Sequence, residues 1–205
     1  MKAKEIANLF LRCNILKNTE RSGWALEGIT TIASESVAEH SWGTTIIALI
    51  LALLEDSQGK NCDISRVLTM ALIHDLPESL ISDIPSKAIV KRDKEFLKAK
   101  KDLENSAFEE IISSFPEKKI RRRLREAWQE CVACKTHEAK IVRAADILDM
   151  IVQARSFENS GVPPTLLNTF FTESKDVLSS LTIDSVMSIF DELAKDHKDL
   201  IRTGG

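Results

Sequence analysis

Residues 36–56 read Ser36-Val37-Ala38-Glu39-His40-Ser41-Trp42-Gly43-Thr44-Thr45-Ile46-Ile47-Ala48-Leu49-Ile50-Leu51-Ala52-Leu53-Leu54-Glu55-Asp56. Ser34 or Ser36 can cap the start of a helix here. After Gly43 the segment is apolar nearly all round, the pattern of a helix at the centre of a bundle rather than of one with a single greasy face. Its most apolar stretch, Thr45 to Leu54, is about half of the roughly 20 residues that span a bilayer, so it reads as a buried helix and no membrane association is expected.

Outward from this segment the period stays near 3.6. Ile6, Leu9, Phe10, Cys13 and Leu16 share a helical face over 4–16. A polar connection, Asn18 to Glu35, holds no clear helix but carries Arg21, Gly23, Trp24 and Gly28. Asp63 can cap a helix from Ile64 to about Asp75, with Val67, Leu68, Ala71 and Leu72 on one face. Pro77 fits badly inside a helix and well at a first helical position, so the chain should break near Asp75–Leu76 and restart. A charged helix is expected from Lys87 to Ser114, ending before Pro116, then two more over 117–134 and 138–157. Gly161, Pro163 and Pro164 make a turn. The remainder, 165–201, reads as one or two helices with a break at 182–184. No strand pair is convincing, and the fold class is all-α.

Composition agrees. The 205 residues include only 7 Gly and 5 Pro and no Tyr, too few turn formers for a protein of many short strands. We expect a single domain over 1–205, with a core over about 20–155 and added C-terminal helices over about 163–201. With 28 basic and 31 acidic residues the net charge is −3, which argues against nucleic acid or anionic lipid as the main partner. The basic run from Lys118 to Arg125 reads as a solvated helix face. The N-terminus lacks the apolar run of a signal peptide, and four cysteines fit a reducing compartment, so the expected location is the cytoplasm. Cys131-Val132-Ala133-Cys134 with His137 is half of a zinc pattern, but no second cysteine pair accompanies it and the core reading prevails.

Four histidines, His40, His74, His137 and His197, bound any imidazole chemistry. His74-Asp75 on its own reads first as a buried histidine beside a capping aspartate. His40 precedes an apolar run, and Asp146 sits in the apolar helix Val142–Asp149, where a carboxylate needs a partner or a metal. Asp149, three residues on, could reach the same place, though a surface or supporting position fits it better. Two imidazoles and two carboxylates from three segments can form a mixed N/O site for one divalent cation. Arg143, one turn before Asp146, suits either phosphate or a salt bridge, and His197 reads as an exposed residue near the tail.

The ordered set His40…His74-Asp75…Asp146 resembles the metal signature of the HD-domain phosphohydrolase superfamily. The likeness extends to Arg21-Ser22-Gly23-Trp24, Glu35-Ser36-Val37-Ala38-Glu39-His40, and His74-Asp75-Leu76-Pro77-Glu78 followed by Ser82-Asp83-Ile84-Pro85, which are similar to blocks of its 5′-deoxynucleotidase branch. It runs from about Leu9 to Gln153 and implies an HD-domain helical bundle. It also implies a hydrolase that releases phosphate from deoxyribonucleoside 5′-monophosphates, with one divalent cation (Mn, Co, Fe, Ni, Zn or Mg, not distinguished). His40, His74, Asp75 and Asp146 are then the metal ligands and Glu78 the general acid or base. Arg21 meets phosphate, Trp24 packs near the sugar, and Asp83 meets the 3′-hydroxyl or orders the site. The alternatives are an HD phosphohydrolase of nucleoside triphosphates or alarmones, and a catalytically silent metal-bound nucleotide-binding module. The resemblance also implies a homodimer. Glu27 departs from the family, which often has a basic residue there.

Overall fold

The computed structural model describes residues 3–30, 35–85 and 93–203. Eleven α-helices appear among them, with no strand beyond an isolated bridge between Glu20 and Ser36. The first, α1 (Ala3–Cys13), runs into a 3-10 turn at Asn14–Asn18. The connection read as helix-free contains a short helix, α2 (Ser22–Leu26), too brief to show a period.

The central helix is α3 (Val37–Ser57). It begins at a reciprocal cap: Glu39 N–H donates to Ser36 Oγ at 3.2 Å, and Ser36 N–H donates to Glu39 Oε2 at 2.8 Å. This fixes the first turn and places His40 in the next one. Ser34 lies outside the described residues. α4 (Ile64–Ile73) starts at Asp63, whose carboxylate accepts from Arg66 N–H at 2.9 Å. The chain then breaks at residues 74–77 and resumes as the one-turn α5 (Glu78–Ile81), where Pro77 led us to expect it. α6 covers Lys94–Ser113; the expected start at Lys87 lies outside the described residues.

α7 (Lys118–Ala133) and the long α8 (His137–Asn159) follow. The C-terminal part forms three helices rather than one or two: α9 (Pro164–Leu181), α10 (Asp184–Leu193) and α11 (Lys195–Thr203). The break at Thr182 adopts a left-handed φ of 56°.

α3 packs most extensively on α8, and α4 covers both. Ala48, Leu51 and Ala52 of α3, Val67 and Met70 of α4, and Ala144, Leu148 and Ile151 of α8 are fully buried between them. α9 covers the far side of α8 with Phe170 and Phe171. Among the described residues, the opposite face of α3 is left open: Trp42, Ile46, Ile50 and Leu53 stand at helical spacing with 71, 39, 51 and 49% of their surface exposed. α3 is long and apolar enough to cross a membrane by length and composition, yet it is the central element of this bundle.

Candidate metal centre and active site

Three helices deliver the four polar groups that the sequence singles out. His40 comes from the second turn of α3, His74 and Asp75 from the break after α4, and Asp146 from the middle of α8. His40 is fully buried. Its Nε2 lies 3.4 Å from His74 Nε2, 3.3 Å from Asp146 Oδ1 and 3.6 Å from Asp75 Oδ2. His74 Nε2 is 3.3 Å from the same Asp75 oxygen. The break at 74–77 explains how adjacent residues reach one point: side chains about 100° apart on a continuous helix would diverge.

Both imidazoles are oriented from behind. His40 Nδ1 is 2.8 Å from Asp149 Oδ2, and His74 Nδ1 is 2.7 Å from the carbonyl of Ala71. Carboxylate and carbonyl oxygens only accept, so each Nδ1 carries a proton and each Nε2 is turned to the common centre. Two imidazole nitrogens and two carboxylates aimed at one place repel or need a cation between them. That donor set and orientation fit a divalent metal.

The charge balance tells the same story. Burial and Arg21 oppose protonation of His40, but hydrogen bonds to Asp146 and Asp149 and the charge of Asp75 prevail, and its pKa is pushed up to about 10. Burial likewise opposes a charge on His74, and Asp75 and Asp146 raise its pKa regardless. Burial would raise Asp75 and Asp146. Instead His74, Arg21 and His40 hold Asp75 below the usual carboxylate range, and Arg143, His40 and His74 hold Asp146 there. The centre thus gathers positive charge, as protons when nothing else supplies it.

The centre opens into a cavity of about 550 Å³ lined by Arg21, Trp24, His74, Asp75, Glu78, Asp83 and Asp146 among others. Arg21 reaches Asp75 Oδ2 at 3.2 Å from the start of α2. Its backbone is fixed on two sides: its N–H donates to the carbonyl of Glu35 at 2.9 Å. Next to it, Ser22 N–H donates to Asp83 Oδ2 at 2.8 Å and Ser22 Oγ–H to the Asp83 carbonyl at 2.8 Å. Asp83 therefore caps α2 from 61 positions away. The chain turns back to do so at Ser82, at φ 60° and ψ 172°, a region that side chains disfavour.

Glu78 opens α5 and is 8% exposed, with Oε2 buried and without a hydrogen-bond partner among the described residues. Burial, then Asp75 and Asp83, push its pKa up to about 10 against the pull of Arg21 and Lys100. Trp24 is 4% exposed and serves both as core and as cavity wall. It packs at 4.5 Å on Phe170 and edge-on at 5.0 Å to Phe157, and its indole N–H donates to Glu35 Oε2 at 3.2 Å.

Asp149 takes the supporting one of its two expected positions, buried behind His40. Arg143 donates to Asp146 Oδ2 at 2.6 Å while lining the cavity, so it combines the two expected places. Lys100, Lys101 and Glu104 of α6 and Glu173 of α9 also line the cavity; their spacing in the chain resembles any solvated helix face, and nothing local marks them. Cys131 and Cys134 line the cavity too. Among the described residues neither joins a cluster of candidate metal ligands, and His137 Nε2 instead lies 3.0 Å from Glu55. Glu27 ends α2 and is not on the cavity wall. His197, expected to be exposed, is 2% exposed: it stacks on Phe171 at 3.8 Å and meets Glu158 and Asn168.

A model of the HD domain matches residues 13–184 of this chain. The protein named 5′-deoxynucleotidase HDDC2 from Dictyostelium discoideum is 34% identical over 152 residues, 73% of this chain and 75% of that protein. The Homo sapiens protein of the same name is 30% identical over 157 residues, 76% and 70% of the two chains. A conserved hypothetical protein from Pyrococcus furiosus superposes with a TM-score of 0.75 at 30% identity, covering 92% of this chain and 99% of that one. An HD-domain phosphohydrolase from Listeria innocua superposes with a TM-score of 0.77 at 24% identity over 94% and 89%, a likeness of fold.

Proposed function

From the premise that this chain belongs to the HD-domain family and is an HD phosphohydrolase, we propose that it is a 5′-deoxynucleotidase, releasing orthophosphate from deoxyribonucleoside 5′-monophosphates. The observation that carries this reading is the convergence of Arg21, Glu78, His74, Asp75 and Asp146 on one cavity, with the buried Nε2 of His40 3.3 Å from Asp146. Relatives at about 30% identity that carry the 5′-deoxynucleotidase name support it.

In this reading His40, His74, Asp75 and Asp146 hold one divalent cation. When bound, the cation polarises the phosphoryl oxygens and lowers the pKa of water beside it. Arg21 binds the phosphate dianion through its planar fork of N–H donors, exchanging the contact with Asp75 for phosphate oxygens. Burial opposes its charge, but the carboxylates of Asp75, Asp83 and Asp146 hold it protonated. Glu78, which burial and its neighbours favour as the neutral acid in the metal-free protein, gives its proton to the leaving 5′-oxygen as the P–O bond breaks. The proton shed by the attacking water restores it.

Trp24 supports the preference for deoxyribose. Its N–H is already committed to Glu35, so the ring offers the sugar only carbon. A 2′-hydroxyl against that surface would lose its hydrogen bonds to water and gain none, a penalty that discriminates between substrates.

The test is product analysis with Mn²⁺ or Co²⁺. The expected result is orthophosphate from deoxynucleoside monophosphates and slower release from ribonucleotides. Absence of release from every monophosphate would sink the proposal. So would formation of pyrophosphate or triphosphate from nucleoside triphosphates as the main reaction.

A further inference from the structure

The residue behind His40 has a feature that its hydrogen bond alone does not explain. Asp149 is 8% exposed on α8, and its Oδ2 lies 2.8 Å from His40 Nδ1. Its other oxygen, Oδ1, occupies space on α3: a Cβ built on Gly43 would lie 2.0 Å from it and 2.8 Å from Asp149 Cγ. Gly43 is inside the central helix, where glycine costs about 1 kcal/mol relative to alanine, and it shows no left-handed φ that would call for glycine. The close approach of the carboxylate accounts for it.

Three residues thus form a clasp across the main helix pair of the fold. Gly43 opens a notch one turn after His40, Asp149 fills it, and the seated carboxylate can meet only Nδ1 of the ring. Glu35 also lies within 4.8 Å of both groups but accepts from the indole N–H of Trp24, while Asp146 and Asp75 approach Nε2. Metal-bound histidines depend on such a partner for tautomer and orientation, and its loss typically lowers metal affinity about 10–100-fold.

We infer that Asp149, seated by Gly43, is the positioning residue that orients His40 for the cation and sets how tightly the cation is held. The inference rests on the metal-dependent reading above and assigns a role to two residues outside the ligand set.

The experiment is titration of metal-stripped full-length protein with Mn²⁺, following free Mn²⁺ by electron paramagnetic resonance, with circular dichroism to verify the helical fold. Asp149→Ala and Gly43→Ala should each weaken Mn²⁺ binding about 10–100-fold. Asp149→Asn keeps an oxygen for Nδ1 but lacks the charge, and should fall between them and the parent. Because both alanine changes break one contact, and removal of the carboxylate makes room for the new Cβ, the double variant should bind no more weakly than Asp149→Ala alone. Additive losses, or variants with parental affinity, would overturn the inference. If the alanine variants lose the helical fold, Asp149→Asn decides: parental affinity overturns the proposal and weakened affinity supports it. Parental protein that binds Mn²⁺ alongside unaffected variants removes only this inference. Parental protein that takes up no Mn²⁺ removes the metal-dependent reading with it.

Discussion

Glu78 places a carboxyl where both burial and neighbouring carboxylates oppose its ionisation, and among the described residues Oε2 has no hydrogen-bond partner. This has a sign that can be measured. In the unfolded chain the group ionises near its ordinary pKa, about 4.3, while in the folded, metal-free protein it keeps its proton to about 10. Between these values the folded state binds the extra proton, so this group's contribution to stability falls as pH rises. Glu78→Gln removes the titration and keeps the shape. Chemical denaturation of metal-free protein should therefore show the variant gaining on the parent between pH 5 and pH 8, by up to about 4 kcal/mol, since one proton of difference is worth about 1.4 kcal/mol per pH unit. Phosphate release should be lost in the same variant. Equal stability differences at both pH values would contradict the burial argument. At this scale His40 and Asp146 were legible as polar groups among apolar residues, whereas His74-Asp75 and Glu78 stood out only through the resemblance of the His74–Glu78 block to the family. Asp149 was visible as a residue but not as the partner of His40, since the contact depends on an absent Cβ 106 positions earlier.

Among the helices, the ones that matter most for the site are those that stop. Pro77 ends α4 early enough for His74 and Asp75 to converge, and this break could be read directly from the chain. The cap that Asp83 places on α2 could not, because the partners are 61 residues apart and α2 itself is only five residues long. The last helix hid its own anchor for a different reason. α11 is polar in composition, and His197 looks like one more surface residue within it. In the fold its ring lies on Phe171, with Glu158 on one edge and Asn168 on the other, while Arg155 links Glu158 to Asp196 at the start of α11. His197→Ala leaves Glu158 short of one partner and should cost about 1–3 kcal/mol. Hydrogen exchange should show residues 195–203 opening well before α8. Unchanged protection across α11 would mean that apolar contacts alone hold it.

For the molecule as a whole, the central helix was identified by its apolar character, yet that character exceeds what this chain buries. No Asp, Glu, Lys or Arg occurs between Glu39 and Glu55. The stripe Trp42–Ile46–Ile50–Leu53 faces outward beside an apolar groove of about 210 Å³ lined by Ile50, Val152, Ile189 and Leu193. Such a face is unusual on a monomer, and being uncharged and continuous it suits an identical copy related by a twofold axis. We propose a homodimer through this face. Sedimentation equilibrium should give a dimer for the parent and a monomer for Ile50→Glu; a monomeric parent at all concentrations would contradict it.

The central claim is that His40, His74, Asp75 and Asp146 form one cation site at the head of the substrate cavity. Anomalous diffraction from crystals grown with Mn²⁺ tests it most directly. A single strong peak is expected in contact with the two Nε2 atoms and both carboxylates, at ordinary coordination distances of about 2.0–2.3 Å, with Asp149 still on His40 Nδ1. A peak elsewhere, or none at this centre with metal present in excess, would contradict it.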